Sequence, residues 1–308
     1  MKKILITGGC GFIGSNLAPM LTSKGYEVKI LDNFSHINDV YVSKFDLDIV
    51  EGDIRDAETV RNVLEDVDVV IHLAASGSVI DSVEFPETNF ENNVFGTFNL
   101  LNECRKADIN NIVFASTGGA LIGNAEPPVN EKSLPIPISP YGSSKLSSEA
   151  YCSSFANSYD MNITALRFAN VIGKNSSHKK GAVTSFINSL INNTPIQIYG
   201  DGSATRDFLF VEDLCQGIIK AFEKNLKGFN CIHLASGKET SVQELANTLM
   251  NISGLINHPI NYLDARKGEV ERNFASYDLA KKIINFEPET SIYDGLLKTW
   301  EWSNSLNL

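Results

Sequence analysis

The chain has 308 residues, 43% of them hydrophobic, enough for one large domain or two smaller ones. Its net charge of −11 excludes a general nucleic-acid or anionic-membrane surface, so an anionic ligand needs its own few local cations. The five cysteines and five histidines are scattered without disulfide-framework or metal spacing, and no apolar run is long enough for a signal-peptide core or a membrane span; a cytoplasmic protein with reduced thiols is expected.

Lys3–Thr7 reads as a buried strand, and Phe12–Ser23 has helical spacing of its apolar residues, closed by Gly25. Between them Gly8, Gly11 and Gly14 form a GxxGxxG turn. Gly8 permits the tight turn, Gly11 lets the backbone approach a pyrophosphate, and Gly14 lets the helix pack on the strand. The helix N-terminus then offers unpaired N–H groups to phosphates. Strand "EVKIL" (27–31) leads to Asp32, 18 residues past Gly14. A carboxylate there accepts from both adenosine-ribose hydroxyls and repels a 2′-phosphate; Asn33 and not an arginine follows, so NAD is favoured over NADP. Strand "DIVE" (48–51) runs toward Asp53, which either reaches the adenine amino group or caps a solvated turn. Helical pattern at 57–64, strand "VDVVIHLAA" (67–75), helical pattern at 89–106 and strand "NNIVFAST" (110–117) continue the alternation. In "SPYGSSKLSSE" (139–149), Tyr141 and Lys145 share one helix face. A nearby ammonium and a positive nicotinamide are expected to lower the phenol pKa, so that Tyr141 can take a proton from a sugar hydroxyl. Ser116 and Thr117 are expected to supply a hydroxyl beside that phenol. A second YxxxK, Tyr277 to Lys281, lies far past the sheet and reads as surface helix. "MNITALRFANVIG" (161–173) adds one more strand. The βαβα order predicts an α/β fold: a Rossmann-type doubly wound parallel sheet with ligands at the carboxyl ends of its strands.

The chain resembles the extended short-chain dehydrogenase/reductases of the nucleotide-sugar epimerase/dehydratase family, and within it the UDP-glucose 4-epimerases. The resemblance covers nearly the whole chain: "GGCGFIG", "LDN", "GDIRD", "HLAA", "NNVFGTFNLL" (92–101), "SPYGSSK", "LRFANVIG" (166–173), "YGDGSATRDFLFVEDL" (199–214) and "ARKGE" (265–269). It implies NAD contacts from Gly8, Gly11, Phe12, Ile13, Gly14, Asp32, Asn33, Asp53, Ile54, Leu73, Ala74, Ala75, Asn93, Ser116, Tyr141, Lys145 and Phe168. Asn93 would hold the strand-end geometry, Thr117 would take the catalytic Ser/Thr place, Tyr141 would be the acid/base, and Lys145 would bind the nicotinamide ribose. Substrate contacts are implied for Ser78, Thr117, Tyr141, Asn170, Tyr199, Arg206, Arg266 and Asn273, with the two arginines on the diphosphate. Arg167 reads as structural.

Related dehydratases and decarboxylases carry an acidic residue just after the Ser/Thr, whereas Gly118 and Gly119 follow Thr117, which favours epimerisation at C4 through a transient 4-keto sugar. Dehydratase, decarboxylase or reductase activity of the same family, and a non-catalytic NAD sensor, are the alternatives. Ile122 and Gly77 replace a Tyr and a Lys found in relatives. The resemblance implies an NAD-binding domain of 1–171 plus about 206–235 and a smaller nucleotide-sugar domain of 172–205 and 236–308. It further implies a homodimer through helices 89–106 and 140–158. On the second of these Tyr151, Phe155 and Tyr159 form a stripe that faces either a partner or the core.

Overall fold

The structure is a computed structural model that describes residues 2–35, 47–266 and 270–306. Strands are numbered in chain order: β1 Lys3–Thr7, β2 Glu27–Asp32, β3 Asp48–Glu51, β4 Val69–His72, β5 Asn111–Thr117, β6 Asn162–Phe168, β7 Asn170–Ile172, β8 Ile196–Tyr199, β9 Thr205–Arg206, β10 Phe208–Phe210, β11 Phe229–Leu234, β12 Thr240–Ser241 and β13 Ile260–Leu263.

Seven strands form one sheet in the order β11-β6-β5-β4-β1-β2-β3, parallel throughout. Its strands are apolar on both faces because both are covered. In β1, Ile4 and Ile6 join the core beneath helices Phe12–Ser23 and Val211–Lys224, while Leu5 joins the core beneath Ala57–Val63, Gly96–Lys106 and Pro140–Ser158. The strand order reverses between β1 and β4, the place where such sheets open a crevice for ligands.

The strand expected over 161–173 is two. β6 ends at Phe168, and the chain bends so that β7 pairs with β10 outside the main sheet. Both the main-chain N–H and the side-chain Nδ2 of Asn170 bind the Asp207 carbonyl, which draws this residue off the sheet. The helix expected over 89–106 is also interrupted. Pro86–Phe90 and Gly96–Lys106 are joined by a widened π-helical turn, Glu91–Phe95. β4 stops at His72, and Leu73–Ser78 is loop. Beyond the sheet's carboxyl edge lie helices Ala182–Ile191, Val242–Ser253 and Ile292–Ser305 and the parallel pair β8–β13. Among the described residues no helix is long and apolar enough to cross a membrane.

Two buried histidines tie stability to pH. His72 lies between Thr7 Oγ1 at 2.7 Å and Thr97 Oγ1 at 3.0 Å; burial, helped by the Lys145 charge, pushes its pKa down to about 3. His233, with neither ring nitrogen bonded among the described residues, is pushed down to about 3 by burial and the Arg167 charge. An unfolded histidine takes up its proton near pH 6.5, so between about 6.5 and 3 the unfolded chain binds more protons and stability falls as pH falls. The slope approaches about 1.4 kcal/mol per pH unit for each histidine. The urea midpoint is expected to drop from pH 7 to pH 5, and His233→Asn should flatten that drop; equal midpoints at both pH values would contradict it.

Candidate active site

The glycine-rich turn works as a set of close approaches. Gly8 has φ +68°, and a Cβ there would stand 2.7 Å from the Ala74 backbone, so the position is closed to other residues twice over. A Cβ on Gly14 would stand 2.5 Å from Gly9, which is how close the helix sits on its own loop. A Cβ on Gly11 would meet only the Gly8 carbonyl, at 3.3 Å. Gly11 therefore keeps an open cradle in front of the first turn of Phe12–Ser23, where Phe12 and Ile13 offer their N–H groups. Asp32 ends β2 beside it, its carboxylate accepting from Cys10 N and Phe34 N, both at 2.9 Å. Asn33 Nδ2 donates to Asp53 at 3.0 Å, and Arg55 grips the same carboxylate, holding it down to about 2. Asp53 thus serves its turn through Arg55 and Asn33. Ile54 packs on Gly96, where a Cβ would stand 2.6 Å from its side chain. This cradle, with a carboxylate at the end of β2, fits a dinucleotide.

The loop after β4 is held by asparagines. Asn93 Oδ1 accepts from Ser76 N at 2.8 Å, and its Nδ2 donates to Ser76 O at 3.1 Å and Ser144 Oγ at 3.0 Å. Asn89 and Asn92 also donate to Ser76. The π-helical turn supplies the extra residue that lets Asn92 and Asn93 both reach this loop. Leu73, Ala74 and Ala75 are thereby fixed opposite the glycine turn, with Leu73 N on Thr7 O at 3.0 Å. Ser78 Oγ caps the helix Val79–Glu84 through Asp81 N.

Helix Pro140–Ser158 starts at Ser139, whose hydroxyl accepts from Gly142 N, with Pro140 in its first turn. A Cβ on Gly142 would collide with the Ala120 carbonyl, so the helix start lies directly on the loop after β5. That contact brings Tyr141 to Thr117, whose hydroxyl beside the phenol favours its ionised form. Lys145, one turn on and 3% exposed, donates to Ala115 O at 2.9 Å and lies over the Phe114 ring. Burial lowers its pKa to about 8.

Two expectations need correction. The phenol of Tyr141 is pushed up to about 12, not down, because burial of a phenolate outweighs the Thr117 hydrogen bond. Ser116 does not stand beside the phenol: successive strand residues point to opposite faces, and its hydroxyl donates to Glu149 at 2.5 Å. Glu149, four residues after Lys145, also takes a two-pronged bond from Arg167 at 3.0 and 2.8 Å. The sequence reading gave Arg167 a structural role without naming this partner.

On the other side of the crevice, Gly118 N donates to Phe168 O at 3.0 Å. Asn273 is buried, with its Oδ1 only 3.0 Å from where a Gly119 Cβ would stand, and its Nδ2 has no acceptor among the described residues. Arg266 stacks over the Tyr199 ring, 3.5 Å from its centroid. Arg206 Nη1 donates to Thr205 O at 2.7 Å. Next to it the buried Asp207, missed in the sequence, gathers Ser236 N, Gly237 N and Ala275 N, and so fixes the loops on this side. Lys267, Gly268 and Glu269 of "ARKGE" lie outside the described residues. The second YxxxK has other partners: Tyr277 packs on Phe286 and lies against Gly237, and Lys281 pairs with Glu287.

The profile of the NAD dependent epimerase/dehydratase family matches residues 4–231. A putative UDP-glucose 4-epimerase of Methanocaldococcus jannaschii is 37% identical over 99% of both chains. The Thermotoga maritima UDP-glucose 4-epimerase, solved with UDP-glucose, superposes with a TM-score of 0.94 at 33% identity, covering 99% of this chain and 100% of its own. The UDP-N-acetylglucosamine 4-epimerase of Methanobrevibacter ruminantium, solved with UDP-N-acetylmuramic acid, does so at 0.92 and 30%, covering 99% of each. With the dinucleotide cradle and the Thr117–Tyr141–Lys145 cluster in place on this sheet, the chain belongs to the NAD-dependent epimerase/dehydratase family.

Proposed function

We propose that the chain is a 4-epimerase of a UDP-hexose, acting on UDP-glucose and UDP-galactose and accepting UDP-N-acetylhexosamines. The observation that carries this reading is the meeting of Thr117, Tyr141 and Lys145 at the end of β5, followed by two glycines and no carboxylate. Dehydration or decarboxylation needs a further acid at the sugar's C5 or C6, and none follows Thr117.

Tyr141 takes the O4 proton and later returns it; Thr117 orients the phenol and the hydroxyl; Lys145 adds positive charge below them. Bound NAD, against Gly8–Gly14 and Asp32, would supply the positive ring that takes up the C4 hydride and gives it back to the opposite face. The Arg206 and Arg266 guanidiniums hold the diphosphate while the keto sugar turns over between the two transfers. Asn170 and Tyr199 complete the nucleotide-sugar part, which residues 172–205 and 236–308 build. Incubation with UDP-, dTDP-, GDP- and CDP-sugars, with products resolved by NMR, tests the reaction; a deoxy-keto product or a pentose would overturn it.

NAD choice rests on Asp32. The protein is expected to bind NAD at least about tenfold more tightly than NADP, and Asp32→Ala to lose most of that difference. Equal affinities in the unchanged protein would sink the assignment. A second copy of the chain is proposed to dock on the helices Gly96–Lys106 and Pro140–Ser158. Phe155 is buried in the core, whereas Phe98 and Tyr151 on these helices, Phe90 and Phe95 on the turns leading into the first, and Tyr159 at the end of the second stay exposed. Phe95→Asp is expected to convert a dimer to a monomer in light scattering; a monomeric unchanged protein would contradict the docking.

A further inference from the structure

The segment 174–180 leaves β7 and crosses the crevice on its way to the helix Ala182–Ile191. At its start it is fastened to the helix of the glycine turn. Asn16 Nδ2 donates to Lys174 O at 3.1 Å, and Asn175 Nδ2 donates to Ser15 Oγ at 3.0 Å. Asn175 and Ser176 are buried there. At its end Lys180 Nζ binds both carboxylate oxygens of Asp81 at 3.0 Å, on the helix that follows the Leu73–Ser78 loop. The strap therefore joins the two walls that face each other across the dinucleotide cradle.

Lys179 stands between these fastenings. Its Nζ lies 5.1 Å from the centroid of the Phe12 ring, and Phe12 is the first residue of the helix whose N–H groups face the cradle. The other lysines of the strap have acids: Lys174 has Glu212 at 3.2 Å, and Lys180 has Asp81. Among the described residues no carboxylate pairs with Lys179, although it is partly buried and burial lowers its pKa to about 8. A cation drawn out of water with an aromatic ring as its only side-chain partner among the described residues is suited to an anion brought by a ligand.

We propose that Lys179 clamps the diphosphate of the bound dinucleotide, carried into place by a strap that belongs to the sugar-binding side of the chain. The proposal rests on the NAD reading and not on the identity of the sugar. It gives the strap a purpose that suits a redox-neutral reaction: the dinucleotide need not leave between turnovers, and its charge is gripped from the side opposite the helix N-terminus. A nucleotide sugar also carries a diphosphate. The dinucleotide is favoured because Phe12, Ser15 and Asn16, which hold Lys179 and the start of the strap, all belong to the glycine-turn helix.

The test compares the NAD-loaded protein with Lys179→Met, which keeps the stem against Phe12, and Lys179→Arg, which keeps the charge. Release of NAD into excess apo-scavenger and the affinity for UDP of the loaded protein are measured separately. Lys179→Met is expected to release NAD at least about tenfold faster, with a weaker dependence on salt, and to bind UDP within about twofold of the unchanged protein. Lys179→Arg should restore slow release. Unchanged NAD release in Lys179→Met, or a loss confined to UDP affinity, would overturn the proposal. An unchanged protein that holds no NAD would instead sink the cofactor reading. Equal melting temperatures of the NAD-free forms separate loss of the clamp from loss of the fold.

Discussion

Tyr141→Phe is expected to keep the fold and the bound NAD while lowering turnover by at least about 10²-fold, the low end for lost acid–base catalysis. The change removes one oxygen and leaves the ring in place. Main-chain anchoring of this residue, through Tyr141 N on Ser82 Oγ at 3.1 Å, does not involve the phenol. The structure makes the loss understandable in charge terms. Burial raises the phenol to about 12, while Lys145, lowered to about 8, still carries its charge for the most part at pH 7. A base so weakly ionised depends on every nearby positive charge to shed its proton in the transition state. Lys145→Met should therefore also slow the reaction, and the remaining activity should climb more steeply with pH than in the unchanged protein. Tyr277→Phe, at the second YxxxK, should change turnover by less than about twofold. Near-normal turnover of Tyr141→Phe would remove this residue from the mechanism.

The elements that chemistry writes locally were legible in the sequence. The glycine spacing, the acid at the end of β2 and the tyrosine–lysine pair one turn apart each depend on a few neighbouring residues, and the parallel sheet follows from apolar runs alternating with helical ones. What escaped depends on distant residues or on burial. Charged neighbours of the phenol are visible in the sequence, whereas desolvation has no sequence signature of its own. Ser116 and Thr117 are adjacent in sequence, but the two faces of β5 send one to Glu149 and the other to Tyr141. The break at Phe168 depends on Asp207, and the π-helical turn depends on a serine in a loop many residues earlier. Asp207 had a visible signal, an acid beside the proposed diphosphate arginine, but its partners, three main-chain N–H groups and the Ser236 hydroxyl, come from distant loops.

Asn273→Tyr is expected to narrow the substrate range, lowering kcat/KM for UDP-N-acetylhexosamines at least about tenfold while UDP-glucose stays within a few-fold. In the unchanged protein both substrate types should be turned over. Asn273 stands seven residues past Arg266, where the resemblance to the nucleotide-sugar epimerases implies that hexose-only members often carry a bulky tyrosine against the C2 side of the sugar. The structure brings this asparagine to the loop that follows Thr117: its side chain lies against Gly119, and its N–H donates to Thr205 O at 3.3 Å, one residue before Arg206. It therefore sits between the acid–base cluster and a proposed diphosphate contact, the stretch a sugar ring has to occupy. Asn273 already lies close enough to Gly119 that a Cβ there would stand 3.0 Å from its Oδ1, so a phenol ring at 273 has little room on that side and has to take its volume from the sugar side. That volume is where an acetamido group would go. The amide also brings chemistry of its own, because its buried Nδ2 has no acceptor among the described residues and can donate to an acetyl carbonyl. Asn273→Ala separates the two effects. It keeps the room and loses the donor, so acetylated substrates should weaken less in Asn273→Ala than in Asn273→Tyr. If the unchanged protein ignores acetylated sugars, or if Asn273→Tyr leaves the ratio of specificity constants where it was, residue 273 does not set the size of the pocket.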